Sequence, residues 1–491
     1  MAGVLPANVS YFMSRLQGVS VSHYKIFPQT NQTAGANKII RFDLASNSLV
    51  NLRSLRMIFS AGMTSNGGRL PNKIDSLIAR ISIYCGGVLV ANNFDNYNVL
   101  RHAKDALLGD KCDAATGHPE IVRVKSYHNS LGNDNAVMAN DDPETYLKSA
   151  NKGTSRDQFV IDYWESFLGS LEPGIIDTGL FPQITVEITL AENTVCPTCA
   201  SVALSKAGND LFCAANAAAP VYELQDINMQ VEVLGMSTSV LDQIVEQRIA
   251  SVGYLSLPFK NYFSFQDNHT GTTKFNINSA SWDRLWITYR PTTYANNAGP
   301  HGVVGYKRAG AVCATGGDGT AAAAQIGAPP AALANITQDL GRPTYDLGGV
   351  LDVNKEKYVS NYFRFRHQVE GGALTTDSNY ILQVNGASIP SYKMSPSEFY
   401  AVTKNSLDSY HTNHHMSMDQ YLDSYFVQCM RFSLPDSDFG RLASGLDCRS
   451  TSSNVTLETT NLPTAGTAVN IFCECTSELR VGTGRAIEVI Q

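Results

Sequence analysis

Much of the chain alternates hydrophobic and polar residues with a period of two. In the clearest run Ile184, Val186, Ile188 and Leu190 alternate with polar residues, and residues 227–233 repeat the pattern. Such alternation is typical of β-strands with one face in a hydrophobic core and the other in water. The pattern therefore predicts an all-β chain made of many short strands.

A large part of this pattern occurs twice in the chain. Residues 24–59 match residues 262–289, and a hairpin-like segment with Gly86 matches a second one with Gly386. The matched pairs are Gln29 with Gln266, Asn31 with Asn268, Thr33 with Thr270, Arg41 with Lys274, Phe42 with Phe275, Asp43 with Asn276, Leu44 with Ile277, Ser46 with Ser279, Ser48 with Ser281, Leu55 with Leu285, Met57 with Ile287 and Phe59 with Tyr289. The repeat indicates two similar domains in tandem.

The offset between the copies changes along the chain because the loops differ in length. It is 233 residues at Phe42 and 300 residues at Gly86. Residues 108–160 are rich in Asp, Asn, Gly and Ser, whereas residues 296–348 are rich in Gly, Ala and Pro. Each copy is thus expected to keep the same strands and to carry different long loops.

Helical patterns are short and few. They predict helices around residues 97–107 and 399–407, one after each hairpin, and another over 161–171 that ends before Pro173 and Gly174. A helix over 8–17 is expected either to pack under its own domain or to dock on a neighbouring subunit. Residues 239–250 predict an amphipathic helix that connects the two domains.

These elements predict two tandem eight-stranded jelly-roll β-sandwiches with short helices and long loop insertions. The predicted division is an N-terminal arm (1–20), a first jelly roll (21–236), a linker helix (237–250) and a second jelly roll (251–491).

The composition and charge of the chain exclude several classes of function. The 491 residues are 43% hydrophobic and carry a net charge of −7. Lys and Arg are scattered, so we expect no direct contact with nucleic acid. No signal peptide pattern and no long apolar run occur, which predicts synthesis in a reducing cytoplasm and no membrane span.

Possible metal ligands lack a convincing spacing. His411, His414 and His415 lie in a polar run that favours a solvated loop over a metal site. No His-x-His pair of the cupin type occurs. The sequence therefore predicts no bound metal at the histidines.

The ten cysteines are too sparse for a disulfide framework. Cys196, Cys199 and Cys213 form a partial zinc pattern without an evident fourth ligand, so ordinary thiols are favoured, and metal binding or a disulfide stays open. Cys473 and Cys475 are two residues apart, which predicts that both face the core.

No pattern indicates a catalytic site or a cofactor. The glycines within 302–305 and 316–319 lack the Gly-Lys-Ser/Thr ending of a phosphate-binding loop, and no Gly-x-Ser-x-Gly motif occurs. We therefore predict no catalytic residue, no cofactor and no enzyme activity.

The duplicated jelly roll resembles the double jelly-roll major capsid proteins of nucleocytoplasmic large DNA viruses, virophages, polinton-like viruses and the adenovirus lineage. Residues 444–458, SGLDCRSTSSNVTLE, are similar to the Ser-Gly-x-x-Asn-x-Ser segment before the last strands of the large-DNA-virus proteins, with Asp447 in the place of Asn. Residues 167–190 are similar to the segment that closes the first jelly roll in the virophage and polinton-like proteins.

This resemblance implies a homotrimer with a pseudo-hexagonal outline that tiles the icosahedral shell of a double-stranded DNA virus. Its implied partners are neighbouring capsomers and minor capsid and penton proteins. Its implied place is the virion, after assembly in the host cytoplasm or a viral factory. The alternatives are a minor capsid or vertex protein and a carbohydrate-active or cupin-like enzyme.

Overall fold

The computed structural model describes residues 20–63, 74–108, 157–196, 221–235, 247, 249–291, 365, 378–407, 421, 426–434, 445–449, 453–461 and 467–491. The sequence features that lie outside these residues are the predicted helix 8–17, most of the linker 237–250, most of both long loops with their glycine runs, Cys199, Cys213, His411, His414 and His415.

The described residues of the first half of the chain contain ten strands. They are β1 (Ser20–Ile26), β2 (Ala34–Gly35), β3 (Ile39–Asp43), β4 (Leu49–Met63), β5 (Ile78–Cys85), β6 (Val88–Asp95), β7 (Asp157–Ile161), β8 (Ile175–Asp177), β9 (Ile184–Leu190) and β10 (Tyr222–Gly235).

The second half contains nine strands among the described residues. They are β11 (Tyr254–Asn268), β12 (Thr272–Ile277), β13 (Trp282–Pro291), β14 (Asn379–Val384), β15 (Ala387–Ser388), β16 (Val427–Arg431), β17 (Ser453–Thr460), β18 (Thr467–Gly482) and β19 (Ile487–Ile490).

Each half forms a large and a small antiparallel sheet with the same strand order. The large sheets run β1-β10-β4-β7 and β11-β18-β13-β16, and the small sheets run β3-β9-β5-β6 and β12-β17-β14-β15. The short strands β2, β8 and β19 extend the large sheets. Two four-stranded sheets with this order make an eight-stranded jelly roll. The predicted double jelly roll is therefore confirmed, and the halves are called sandwich 1 (β1–β10) and sandwich 2 (β11–β19).

The repeat seen in the sequence corresponds to equivalent strands. Phe42 on β3 lies opposite Val186, and Phe275 on β12 lies opposite Val455. Both phenylalanines are buried, at 0% and 7% exposure. Burying such a ring contributes roughly 1.5–3 kcal/mol relative to leaving it exposed. The hydrophobic part of the repeat therefore builds the two cores in the same way.

The polar part of the repeat is less exact. Gln266 lies inside β11, whereas Gln29 follows the end of β1. The matched polar residues of this segment therefore do not hold equivalent positions, because β11 continues further than β1.

Both hairpins turn at a glycine with a positive φ angle. The angle is 59° at Gly86 and 81° at Gly386. Side chains with a Cβ atom rarely adopt this conformation. The glycines therefore allow β5 and β14 each to turn back tightly into the next strand.

The predicted orientation of the cysteine pair on β18 is confirmed. Cys473 and Cys475 are both fully buried on the core side of sandwich 2. Burial raises the pKa of both thiols above the ordinary value. They thus act as small hydrophobic side chains.

Three α-helices are described over their full range: α1 (Tyr97–Leu108), α2 (Phe167–Ser170) and α3 (Pro396–Ser406). Helices α1 and α3 confirm the two predicted after the hairpins. At the start of α3, the Ser395 hydroxyl accepts from the backbone N–H of Glu398 (3.4 Å), while the Glu398 carboxylate accepts from the backbone N–H of Ser395 (2.7 Å). This reciprocal capping defines where the helix begins.

The helix predicted over 161–171 is wrong in most of its length. Ile161 ends strand β7, and only Phe167–Ser170 is helical. The indole N–H of Trp164 donates to the backbone carbonyl of Leu55 at 2.8 Å, and Ser166 has a φ angle of 64°. Contacts with a distant strand have overridden the local helical pattern.

None of the helices in the described part of the chain is long and apolar enough to cross a membrane.

Candidate functional site

The most unusual site in the described residues is a buried charged junction between the two sandwiches. Because Cys473 and Cys475 face the core of sandwich 2, Glu474 between them faces the opposite side of the large sheet. That outer face lies against α1 of sandwich 1, and the Glu474 side chain is only 4% exposed. The junction therefore places ionisable groups from both halves in a site with little water.

Lys104 of α1 lies at the centre of the junction. Its Nζ donates to Glu165 Oε2 at 2.9 Å and to the hydroxyl of Tyr262 at 2.7 Å, and lies 4.0 Å from Glu474 Oε2. The Tyr262 hydroxyl donates in turn to Glu165 Oε2 at 3.2 Å. A single ammonium thus connects α1 with two strands of sandwich 2.

Arg101 extends the charged network within sandwich 1. It lies one helical turn before Lys104, on the same side of α1. Its Nε donates to Asp75 Oδ2 at 3.1 Å, and one terminal nitrogen is 3.6 Å from Glu165 Oε1. Its guanidinium also lies 4.3 Å from the centre of the Tyr163 ring. These contacts hold α1 in a fixed position on its own sandwich.

Sandwich 2 supplies the matching part of the network. Arg284 Nη1 donates to Glu474 Oε1 at 3.4 Å, and the indole N–H of Trp286 donates to Glu474 Oε2 at 3.2 Å. Trp286 is 1% exposed. Both oxygens of this buried carboxylate therefore have partners.

Electrostatics keeps Glu474 charged. Burial by itself raises its pKa, but Lys104, Arg284 and Lys260 together with the Trp286 hydrogen bond hold the pKa at about 2, below its ordinary value of 4.5. Burial raises the pKa of Tyr262 well above 10. At neutral pH the Glu474 carboxyl is therefore ionised and the Tyr262 phenol is neutral.

The charges of the junction balance. Its acidic residues are Asp75, Glu165 and Glu474, and its basic residues are Arg101, Lys104 and Arg284. Removing one partner of a buried pair is strongly destabilising, because the remaining charge is left without compensation. The network therefore favours one orientation of the two sandwiches.

A second set of contacts closes the edge of the large sheet of sandwich 2. The backbone N–H of Glu172 donates to the carbonyl of Pro258 at 3.0 Å, and the backbone N–H of Lys260 donates to Ser170 Oγ at 2.8 Å. Phe167 packs edge-on against Phe259, with ring centres 5.2 Å apart. Covering an edge strand in this way satisfies its backbone groups and blocks unwanted pairing.

The structure locates one member of the predicted cysteine group. Cys196 is buried, and burial raises the pKa of its thiol above the ordinary value. No cluster of metal-ligating side chains occurs among the described residues. Because Cys199 and Cys213 lie outside them, the choice between free thiols, a metal and a disulfide stays a prediction.

Of the segment that carries the resemblance, the described residues 445–449 pack against the start of β13, and residues 453–458 belong to β17. The backbone N–H of Gly445 donates to Ser281 Oγ at 3.0 Å, and Leu446 pairs with Trp282. A Cβ atom on Gly445 would lie 2.6 Å from the Trp282 carbonyl oxygen and 2.5 Å from Asp283 Oδ1. The glycine of this motif therefore allows a close backbone approach within sandwich 2.

No pattern in the sequence predicted the junction. Lys104, Glu165 and Glu474 are far apart in the chain, so no local motif connects them. The usable signal was the repeat itself: α1 carries Arg101 and Lys104 on one side, where α3, counted from its own first residue, carries Tyr400 and Thr403. A difference between two otherwise equivalent helices indicates that their surroundings differ.

Comparison with known proteins gave no match to a protein-family model or to a curated sequence. Among solved structures, the chain is similar to a quasi-atomic model of the PBCV-1 virus capsid, with a TM-score of 0.49, 12% identity and 96% of each chain covered. The Faustovirus major capsid protein gives a TM-score of 0.49 and 8% identity, over 94% of this chain and 90% of that chain. The Sputnik virophage gives a TM-score of 0.44 and 9% identity, over 96% and 88%.

The TM-scores of these three structures are 0.44–0.49, so the fold is argued from the strand order of the chain itself. The decisive observation is internal, because both halves have one large and one small sheet with equivalent strand orders. On this ground the chain is a double jelly-roll protein.

Proposed function

We propose that this chain is a major capsid protein whose homotrimers form pseudo-hexagonal capsomers in the icosahedral shell of a double-stranded DNA virus. In this proposal the arm (1–20) and the linker (237–250) flank the jelly rolls 21–236 and 251–491. The protein acts in the virion, with neighbouring capsomers and with minor capsid and penton proteins as partners. Assembly takes place in the host cytoplasm or a viral factory, without direct contact to the genome.

The observation that carries the proposal is the junction between two equivalent sandwiches. Helix α1 of sandwich 1 covers the outer face of the large sheet of sandwich 2. A contact between unlike surfaces generates a closed ring when its rotation closes. Three chains, each with two similar lobes, supply six lobes around such a ring.

The described chemistry also supports a structural role over an enzyme. The buried ionisable residues of the junction are paired with one another between a helix and a sheet. A catalytic pair instead needs groups aimed at a substrate. We therefore expect no loss of assembly when Cys196 or His414 is replaced by Ala.

Native mass spectrometry of the purified full chain tests the proposal. A trimer of the 53.3 kDa chain has a mass of about 160 kDa. Negative-stain electron microscopy of that species is expected to show a six-lobed outline. A chain that stays monomeric across the accessible concentration range would contradict the proposal.

A further inference from the structure

The turn between β11 and β12 forms a corner of sandwich 2, because β11 belongs to the large sheet and β12 to the small sheet. His269 lies in this turn and is only 3% exposed. Its backbone N–H donates to the carbonyl of Thr467 at the start of β18, at 2.8 Å. Its imidazole is nearly perpendicular to the Tyr289 ring, with ring centres 5.5 Å apart. An ionisable side chain is thus buried where the two sheets meet.

The imidazole connects the corner with Thr459 of β17, a strand of the small sheet. Its Nε2 lies 3.0 Å from Thr459 Oγ1, and this hydroxyl donates to the carbonyl of Gly271 at 3.3 Å. Because a hydroxyl has only one hydrogen, Thr459 accepts from His269, and this assigns the imidazole proton to Nε2. The backbone N–H of Thr459 also donates to the Gly271 carbonyl, at 2.8 Å. The closed corner therefore contains a neutral imidazole.

The other ring nitrogen of His269 has no use for a proton. Its Nδ1 is buried and has no hydrogen-bond partner among the described residues. A proton bound there would create an N–H group without an acceptor and a positive charge in a site with little water. Both are unfavourable in a buried position. Protonation therefore favours a conformation in which the imidazole reaches water.

The described groups that face the imidazole do not compensate such a charge. Tyr289 of β13 is neutral, since burial raises the pKa of its phenol above the ordinary value of 10. Tyr380 of β14, whose ring centre is 6.2 Å from that of Tyr289, is neutral for the same reason. Thr459 and the Thr467 carbonyl carry no charge. Burial accordingly lowers the pKa of His269 below its ordinary value of 6.5.

The charged residues of the same strands have other surroundings. Asp267 is exposed, and its carboxylate accepts from the backbone N–H of Asn268 at 2.8 Å. Glu458 and Arg290 are the neighbours in sequence of Thr459 and Tyr289, so they lie on the opposite faces of their sheets. The imidazole is therefore held neutral by burial.

Sandwich 1 has no such group at its equivalent corner. The connection between β1 and β3, residues 27–38, contains no histidine. Phe59, the residue matched with Tyr289 in the repeat, packs against Phe159 with ring centres 6.2 Å apart. The two corners therefore differ in their response to acid, and sandwich 1 provides an internal reference.

We infer that His269 is an acid-sensitive latch: when its imidazole takes up a proton, residues 268–271 separate from Thr459 and Thr467, and sandwich 2 opens at this corner. The latch is closed above pH 6.5, the ordinary pKa of the imidazole, and opens as the pH falls below that value. Strand β11 also carries Gln266, whose side-chain oxygen accepts from Asn96 Nδ2 of sandwich 1 at 3.1 Å. The opening therefore reaches a contact between the two sandwiches.

This inference goes beyond the proposed capsid function and does not depend on the trimer. In a shell built from this chain, the latch would weaken one lobe of every subunit in a mildly acidic compartment.

Amide hydrogen–deuterium exchange of the full-length chain at about pH 7.5 and about pH 5 tests the latch. After correction for the intrinsic effect of pH on exchange, we expect peptides with residues 268–272 and 457–460 to exchange at least about threefold faster at the lower pH. Peptides from residues 27–38 are expected to keep their rate.

Two variants identify the group that responds. His269→Gln keeps an N–H donor for Thr459 and cannot take up a proton, so the acid response of the corner is expected to disappear. The matched control is His23→Gln, since the side chain of His23 is 62% exposed, and this variant is expected to keep the response.

Circular dichroism checks that each variant is folded. If His269→Gln is unfolded, hydrogen–deuterium exchange at the imidazole Cε1 position of the original chain replaces it, because this exchange measures the pKa of each histidine; a pKa of His269 below 6.5 is expected. The inference is overturned by an unchanged rate at the corner, by the same acid response in His269→Gln, by an equal response of both sandwiches, or by a His269 pKa of 6.5 or more. Each of these results leaves the proposed trimer standing, since native mass spectrometry tests it separately.

Discussion

Replacing Lys104 by Met is the sharpest test of the junction. The change keeps an unbranched apolar stem close to that of lysine and removes the ammonium from between Glu165 and Glu474. With an effective dielectric constant of about 20, an ion pair at 2.9 Å is worth on the order of 6 kcal/mol before desolvation is subtracted. The pair at 4.0 Å is worth on the order of 4 kcal/mol on the same basis.

Desolvation of the lysine offsets part of this energy, so the net effect is smaller than the sum. Breaking a buried pair by removing one partner costs about 3–5 kcal/mol. For a sandwich of this size, that loss corresponds to a fall of roughly 6–20 °C in the unfolding midpoint. We therefore expect Lys104→Met to lower the free energy of unfolding by about 3–5 kcal/mol.

Urea unfolding followed by tryptophan fluorescence measures this loss. Trp286 is well placed to report on the junction because its indole N–H donates to Glu474. The matched control is Lys38→Met, since Lys38 is an exposed lysine of the same sandwich and is expected to change the free energy by less than about 0.5 kcal/mol. The double variant Lys104→Met with Glu165→Gln is expected to regain at least part of the loss.

The reasoning fails if Lys104→Met is no more destabilising than Lys38→Met. It also fails if Glu165→Gln costs as much stability in the Lys104→Met variant as in the original chain, because the two charges would then not be coupled.

Three further predictions concern single residues and can be checked by the same unfolding assay. Burial lowers the pKa of His269 below its ordinary value of 6.5, so the stability from its neutral ring is present above pH 6.5 and is lost as pH falls below it; His269→Gln is expected to flatten this slope. Gly445→Ala is expected to cost about 1–3 kcal/mol by overpacking, whereas Gly482→Ala, whose Cβ would meet its nearest atom at 3.8 Å, is expected to change stability by less than about 1 kcal/mol. Phe42→Ala is expected to cost about 3–5 kcal/mol through a core cavity, and a smaller loss than Phe42→Leu would contradict the packing described for β3.

The sequence was most informative where structure follows local rules. Alternation identified β9 and β10, the repeated glycines identified both hairpins, and the spacing of Cys473 and Cys475 placed both in the core. These features depend on the period of a strand or on the φ angle of a turn, which neighbouring residues decide. The double jelly roll could therefore be predicted before any coordinates were known.

The sequence was least informative where contacts join distant residues. The helix predicted over 161–171 failed because Trp164 bonds to the backbone of Leu55, more than 100 residues away. Lys104 has the pattern of a solvated lysine, and only the three-dimensional structure brings it to Glu474. Long-range pairing of this kind leaves no local period or motif to detect.

The contacts that close the edge of β11 join residues that leave the ribosome at different times. Ser170 and Glu172 leave the ribosome before Pro258 and Lys260, and domains generally fold as they emerge, with the N-terminal one first. Sandwich 1 can thus be in place as a template when the first strand of sandwich 2 appears. A nascent β11 then finds Ser170 and Glu172 on one edge at once, while its other edge stays open until β18 is made. A chain with the two halves exchanged in order would lose this protection during translation.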